Sequence, residues 1–411
     1  MDGLNVTSGL VTLAGVFAYI NYRFFRLPTT VGLMLISLVI SIVILFLGKM
    51  GIHFDVLAVD MVQTIDFDET LMHGMLSFLL FAGALHININ NLGQQKYVIT
   101  FLATFGVLIS TVIIGCTSYW VLYMIGADIP FIYCLVFGSL ISPTDPISVM
   151  SILKTAGAPK SLETKIAGES LFNDGVGVVV FLILSGIAAG GQEIGILDAL
   201  GLFFQEAIGG AVFGFWAGYI TFLMLRGVDN YQVEVLLTLG LVMGGYSLAS
   251  ALHLSAPIAI VVAGLLIGNH GRMLGMSEKT RDHLDNFWEL LDEILNAVLF
   301  VLIGLEILII PFHTYPLWVA FGMIPIVLSA RFVSVSIPVM ILRFRREFSP
   351  NVIKILTWGG LRGGISVALA LSLTAEAPRD AILTFTYVVV VFSILVQGLT
   401  VGHLIKAESS S

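Results

Sequence analysis

Four polar side chains, Glu169, Ser170, Asn173 and Asp174, stand together in the stretch Gly168 to Gly175, which continues as a largely apolar run from Val176 to Ile187. A charge near the centre of a bilayer costs about 2.5–3.5 kcal/mol on insertion scales, so a carboxylate kept there usually marks a function. Helical spacing puts Ser170 and Asp174 on one face, with Glu169 and Asn173 beside it. A carboxylate with a hydroxyl one turn away can hold a cation, and the same carboxylate can hold a proton instead. Asp174 is the candidate for binding the two in turn. The rest of the chain must supply its partners.

Composition says where that chemistry takes place. Of 411 residues, 57% are hydrophobic and only 11% charged, against about 25% charged in soluble domains. Long uncharged runs recur along the chain, which reads as an all-α, polytopic membrane protein. A membrane barrel would show short alternating segments instead. The first apolar run lacks the basic lead-in and small-residue cleavage site of a secretory signal. Cys116 and Cys134 both lie in apolar runs and read as packing thiols. A net charge of −8 without a large basic patch argues against a nucleic-acid partner.

Hydropathy gives thirteen candidate spans, at about 8–25, 29–48, 71–90, 97–125, 129–153, 163–188, 197–226, 231–252, 255–270, 283–308, 315–345, 350–375 and 378–406. Placing the first connection in the cytoplasm puts 15 of the 19 lysines and arginines on that side. Lys49 and Arg379 remain outside, and Arg331 and Arg362 fall within spans. The outer segment from Gly51 to Glu69 is acidic and is expected at the interface. The positive-inside rule thus expects the amino terminus outside and the carboxyl terminus in the cytoplasm. Six, one and six spans make two inverted repeats: 1–190, a linking helix 191–228, and 229–406, with 407–411 as a short tail. The whole chain is read as one transmembrane domain, the arrangement of secondary transporters.

Matching interruptions support that division. Span five contains Ser142-Pro143-Thr144-Asp145-Pro146, and span twelve contains Gly359-Gly360-Leu361-Arg362-Gly363-Gly364. Pro143 and Pro146 bring no amide donor, so the carbonyls of Ser139 and Ser142 lose their regular helical partners. In lipid a cation or water can take that place. Asp145 adds a carboxylate at the break, and Thr144 a hydroxyl and a carbonyl. Arg362, among four glycines, can cancel the negative ends of broken helices or pair with a carboxylate. The plainer readings are a proline kink capped by Asp145 and close helix packing through glycine.

Arg331 sits in an apolar run and needs a buried partner. Glu169 is the natural one, because a pairing with Asp174 would favour the ionised aspartate and oppose proton binding. Glu306, near the end of span ten, is expected to be interfacial and solvated. Asn269 and Asn296 could bond across helices, while His86 and His253 read as interfacial residues rather than proton carriers.

Together these residues resemble the sodium/proton exchangers of the NhaP and NHE type, the first monovalent cation:proton antiporter family, over essentially the whole chain. The likeness rests on Arg26-Leu27-Pro28, Phe81 to His86, Ser142 to Pro146, Gly168 to Gly175, Phe300 to Glu306 and Trp358 to Gly364. The resemblance implies a thirteen-helix fold with crossed, partly unwound helices five and twelve, a homodimer, and alternating access. It implies Asp174 as the carboxylate for ion and proton, Ser170 and the Thr144 carbonyl as ligands of the transported Na⁺, and Asp145 as a site residue. It also implies Glu169 with Arg331 as a structural ion pair, and Arg362 as charge compensation for the unwound region. Asn173 beside Asp174 implies electroneutral exchange of one Na⁺ or Li⁺ for one H⁺, with no cofactor. The third span departs from the pattern: many relatives carry an acidic residue there, and Ala82 occupies the expected place. No long cytoplasmic tail follows, which suggests a prokaryotic type in the inner membrane, with monovalent cations, protons and lipid as partners.

The expected activity is therefore Na⁺/H⁺ antiport and not an enzyme reaction. K⁺/H⁺ antiport and a cation channel are the alternatives. An intramembrane aspartyl protease built on Asp145 and Asp174 would need neither the matched breaks nor thirteen spans, and Gly-x-Gly-Asp surrounds neither aspartate.

Overall fold

In lipid a backbone can satisfy its N–H and C=O groups only within helices or closed barrels, and the described chain is helical, with no strand. The computed structural model describes residues 3–51, 58–59, 62, 67–145, 149–150, 153, 160–190, 196–271, 278–312, 315–344, 348, 351–374 and 378–409. Pro146, most of the segment from Gly51 to Glu69, residues 191–195 ahead of the linking helix, and 272–277 of the long connection lie outside the described residues.

The helices run in chain order as α1 (Gly3–Ile20), α2 (Thr29–Lys49), α3 (Thr70–Leu85), α4 (Ile89–Met124) and α5 (Phe131–Ile141). After the first break come α6 (Lys160–Ala188), α7 (Ile196–Leu225), α8 (Tyr231–Ala251), α9 (Ala256–Leu266), α10 (Glu278–Glu306) and α11 (Leu317–Arg343). The short α12 (Val352–Trp358) and α13 (Gly364–Leu371) flank the second break, and α14 (Arg379–Phe392) continues through a π turn, Ser393–Gln397, into α15 (Gly398–Ser409). Local chemistry marks the starts. The Asn88 side chain accepts from the amides of Asn90 and Asn91 ahead of α4, and Asn230 does the same for Gln232 and Val233 at α8. Pro130 and Pro316 stand immediately before α5 and α11, where a missing N–H costs nothing.

Among the described residues, seven helices are long and apolar enough to cross a membrane. Of the other candidate spans, those of α5, α12 and α13 are short because they are interrupted, and α10 is long but carries charge in its first half. The surface is lined with large apolar side chains, including Tyr19, Phe46, Trp120, Phe215, Trp216 and Met243. Water would penalise so continuous an apolar exterior, and lipid does not.

Inside, α2, α5, α14 and the second half of α10 share one apolar core, and α3, α8, α9 and the first half of α10 share another. A third joins Val98 and Leu102 to Ile166, Val335 and Leu356. The polar residues singled out in α6 lie between these bodies. Glu306 departs from expectation: it is 1% exposed at the end of α10, near enough to Tyr387 of α14 for its charge to act on the phenol. Hydropathy placed it at the interface because a span end usually meets solvent; here the neighbouring helix covers it.

Candidate functional site

The proline break begins where α5 ends at Ile141. Ser142 turns its hydroxyl back to the Gly138 carbonyl at 2.6 Å, and Ser139 bonds the Val136 carbonyl at 2.8 Å. The chain then leaves the helix through Pro143, Thr144 and Asp145. The Thr144 amide donates to Asn173 Oδ1 at 3.3 Å, while Asn173 Nδ2 donates to Thr144 Oγ1 at 2.8 Å. Thr144 Oγ1 lies 3.0 Å from Ser170 Oγ. Both ends of the Asn173 amide thus grip the unwound strand. Accepting a hydrogen bond from the Asn173 amide, Thr144 Oγ1 can donate its own O–H to Ser170 Oγ, which keeps a lone pair for an ion. Asn173, Ser170, Thr144 and Asp174 are all buried.

The glycine break meets this one directly. The Asp145 amide donates to the Leu361 carbonyl at 2.8 Å, and Arg362 Nη1 donates to the Pro143 carbonyl at 3.0 Å. Each interrupted strand therefore satisfies groups that the other has freed, which lets irregular backbone exist at membrane depth. Asp145 is half-buried and lies over Gly363; a Cβ on that glycine would stand 2.7 Å from the Asp145 Cβ. Arg362 is 2% exposed, and the charges of Asp174, Glu169 and Arg331 all reach it. Asp174 in turn interacts with the charges of Asp145 and Arg362.

A second charged cluster sits on the other side of α6. Arg331 Nη1 donates to Glu169 Oε1, and Nε and Nη2 share the Leu356 carbonyl at 3.3 and 3.2 Å. One guanidinium thus joins α6, α11 and α12. Gly360 makes room for it, since a Cβ there would lie 2.6 Å from Arg331 Nε.

The structure adds residues that sequence reasoning did not single out. The Arg362 amide donates to Ser393 Oγ at 2.9 Å, Ser393 donates to Gln397 Oε1 at 2.6 Å, and Gln397 Nε2 donates to the Trp358 carbonyl at 2.9 Å. Ser393 and Gln397 open and close the π turn of α14, a local widening often found at functional positions. Their signal was available: two polar residues in an apolar run. Asn269 holds the Ile87 carbonyl and the Ile89 amide, closing the turn between α3 and α4. His86 and His253 are exposed, away from this centre.

Chemically, the crossing offers carboxylate, hydroxyl and carbonyl oxygens in a confined place, the donor set of a hard cation. No group of three or more histidines, cysteines or acidic residues suited to a resident metal occurs among the described residues. The charges of Asp145 and Arg362 act on Asp174, and those of Glu169, Asp174 and Arg331 act on Arg362.

Comparison with known proteins agrees with this picture. A sequence profile described as "Sodium/hydrogen exchanger, transmembrane" matches residues 10–407. The Na⁺/H⁺ antiporter NhaP of Pseudomonas aeruginosa is 52% identical over 410 residues, covering 98% of this chain and 96% of the relative. The Na⁺/H⁺ antiporter NhaH of Halobacillus dabanensis is 37% identical over 384 residues, covering 92% and 91%. In three dimensions the chain resembles the sodium proton antiporter MjNhaP1 from Methanocaldococcus jannaschii with a TM-score of 0.76, over 98% of this chain and 99% of that one. At 19% identity that likeness establishes the fold. A multi-pass membrane protein with an antiporter fold, the chain belongs to the sodium/hydrogen exchanger family, whose members are transporters rather than enzymes.

Proposed function

We propose that this protein exchanges Na⁺ or Li⁺ for H⁺ across the cytoplasmic membrane, one for one, by alternating access, with Asp174 binding cation and proton competitively. The observation that carries the reading is the buried Asp174, next to the charges of Asp145 and Arg362 where the two helix breaks cross. One carboxylate, Asp174, can take one cation or one proton as its neutralising partner. A centre carrying net charge resists transfer through a low-dielectric barrier, and a neutralised one does not. Both loaded forms can therefore change sides, whereas the empty form is held back. Coupling then needs no ATP, because two ligands compete for one group. The names of the relatives, which are Na⁺/H⁺ antiporters, support the choice of ions.

In this reading Asp174, Ser170 and the Thr144 carbonyl hold the dehydrated ion, and Asp145 adds negative potential beside them. Asn173 shapes the pocket without adding charge. Arg362 compensates the unwound strands, and the Glu169–Arg331 pair is structural. The proposed assembly is a homodimer with the amino terminus outside and the carboxyl terminus in the cytoplasm, following the distribution of lysine and arginine.

The test is a proteoliposome assay with an internal pH-sensitive dye. Na⁺, Li⁺ and K⁺ are added separately, with and without an imposed membrane potential. Saturable alkalinisation or acidification with Na⁺ and Li⁺ that ignores the potential is expected. Flux driven by K⁺ alone, a potential-dependent rate, or cation flow without counter-protons would overturn, respectively, the ion, the stoichiometry and the exchange itself.

A further inference from the structure

A small cavity of about 10 Å³ lies between α11, the glycine break and α14. None of Thr144, Asp145, Ser170, Asn173 and Asp174 lines it, so it is separate from the proposed ion pocket. Its wall is of two kinds. Arg331, Arg362 and Gln397, all buried, supply polar groups, while Val389, Leu328 and Phe392 supply apolar ones. Leu328 and Phe392 are half-buried and form the rim toward the outer surface of the helices.

Two observations point to a ligand in that space. The first is Arg362. Its Nη1 donates to the Pro143 carbonyl and its main-chain amide to Ser393. Its Nε, on a residue 2% exposed, meets no acceptor among the described residues. Buried donors of native proteins almost always have a partner, ordered water included, and a charged donor left alone forfeits one of the stronger hydrogen bonds. The second observation is Gln397. Its Nε2 is committed to the Trp358 carbonyl, and its Oε1 accepts from Ser393. An amide oxygen has two lone pairs, so one remains. A donor in need of an acceptor and an acceptor with spare capacity thus line the same cavity. Its size suits one water, which needs roughly 10–15 Å³ and two to four polar partners. Arg331, bonded elsewhere to Glu169 and Leu356, offers a third. An anion fits less well. The charges of Asp174 and Glu169 already act on Arg362, and another negative ion would be buried beside them. Water is neutral and both accepts and donates.

We propose that this cavity binds a single buried water, which accepts from Arg362 Nε and donates to Gln397 Oε1, and that Gln397 thereby acts as a positioning residue for Arg362. With Pro143 holding Nη1 and the water holding Nε, the guanidinium is fastened to the unwound strands. Deprived of the water, Nε must seek another acceptor, and the carboxylates of the crossing are at hand. Arg362 would then compete with the cation for Asp174. This functional half rests on the exchange reading and deepens it, adding a water that keeps the exchange carboxylate free for its ions.

The experiment has two arms, run on the wild-type protein, Val389→Ile, Val389→Ala and Gln397→Leu. The first arm is X-ray hydroxyl-radical footprinting in ¹⁸O water, on protein in lipid nanodiscs without any ion gradient. Radicals formed from a bound water label the side chains beside it, so Leu328 and Phe392 should carry ¹⁸O in the wild type although lipid surrounds that depth. Val389→Ile, which pushes a methyl group into the cavity, should reduce that label to background, whereas Val389→Ala should retain it. The second arm measures Na⁺-dependent proton flux in proteoliposomes. Val389→Ile and Gln397→Leu are expected to raise the apparent KM for Na⁺ about two- to tenfold, the scale of one hydrogen bond. Val389→Ala should stay nearer to the wild type than Val389→Ile does, although a general loss of packing would harm both. An unlabelled wild type, or a label that Val389→Ile leaves intact, overturns the water. Flux lost when chloride is replaced by gluconate and restored by bromide would place an anion there and overturn it too. A label abolished at unchanged KM overturns the positioning role. Should Gln397→Leu not fold, the two Val389 variants decide. A wild-type protein that is labelled yet shows no Na⁺-dependent proton flux would sink the exchange reading instead, so the two failures are told apart.

Discussion

Glu169 and Asp174 are carboxylates five residues apart on one helix, both buried, and their surroundings are opposite in kind. Glu169 meets a guanidinium that also bonds the Leu356 carbonyl, so its charge is answered by protein. Asp174 meets another carboxylate, Asp145, and a guanidinium already engaged with the Pro143 carbonyl. The first charge is spent on holding α6, α11 and α12 together. The second remains available for a mobile partner. In the proposed reading the same residue class, buried on one helix, serves assembly or transport according to what the neighbouring helices bring.

Exchanging each carboxylate for its amide should separate the two roles. Asp174→Asn is expected to lower exchange by at least about a hundredfold in the dye assay, the effect of losing an essential charged group. Its thermal midpoint should stay level or rise, because an incompletely answered buried charge has been removed. Retention of substantial exchange would remove Asp174 from its proposed role. Glu169→Gln is expected to do the reverse. It leaves Arg331 buried with half its partners, at a cost of about 3–5 kcal/mol. The readout is a clear fall in the midpoint of thermal unfolding followed by size-exclusion chromatography, with exchange persisting in the protein that remains folded. A Glu169→Gln protein as stable as wild type but inactive would invert the comparison.

A smaller effect should come from Gly360→Ala, which pushes a methyl group onto Arg331 Nε. Overpacking of this sort costs about 1–3 kcal/mol, again visible as a lowered midpoint, with the apparent KM for Na⁺ unmoved. Smallest of all, Ser170→Ala removes one proposed ion ligand without disturbing charge. A single hydrogen-bond-scale contact of about 0.5–1.5 kcal/mol corresponds to a rise of roughly two- to tenfold in the KM for Na⁺. An unchanged KM would leave Ser170 as a partner of Thr144 alone.

Much of this centre was legible in the chain because the membrane makes polar residues expensive. Glu169, Ser170, Asn173, Asp174, Arg331 and Arg362 announce themselves by standing in apolar runs, and helical spacing places Ser170 and Asp174 on one face. The two breaks were equally plain, since Pro143 and Pro146 deny the helix its donors and four glycines around Arg362 deny it rigidity. Sequence spacing is silent about partners more than a few turns away. Nothing in the local pattern says that the Asp145 amide would find the Leu361 carbonyl, or that both ends of the Asn173 amide would clasp Thr144. In the sequence Asn173 matters for the charge it lacks; the fold adds a grip on the unwound segment. Ser393 and Gln397 passed unnoticed because neutral polar residues are common in spans, and only the π turn of α14 brings both to the Trp358–Arg362 strand.

Residue order alone dictates that the chain is helical and crosses a membrane, where its helices are interrupted, and which charges stand in apolar runs. These follow from transfer free energies and backbone hydrogen bonding, which act residue by residue. Packing of the helices sets which charge each buried carboxylate meets, and that Glu306 is covered rather than solvated. Those outcomes depend on which helices pack side by side. That choice is made by contacts between residues tens to hundreds of positions apart, such as the 162 separating Glu169 from Arg331.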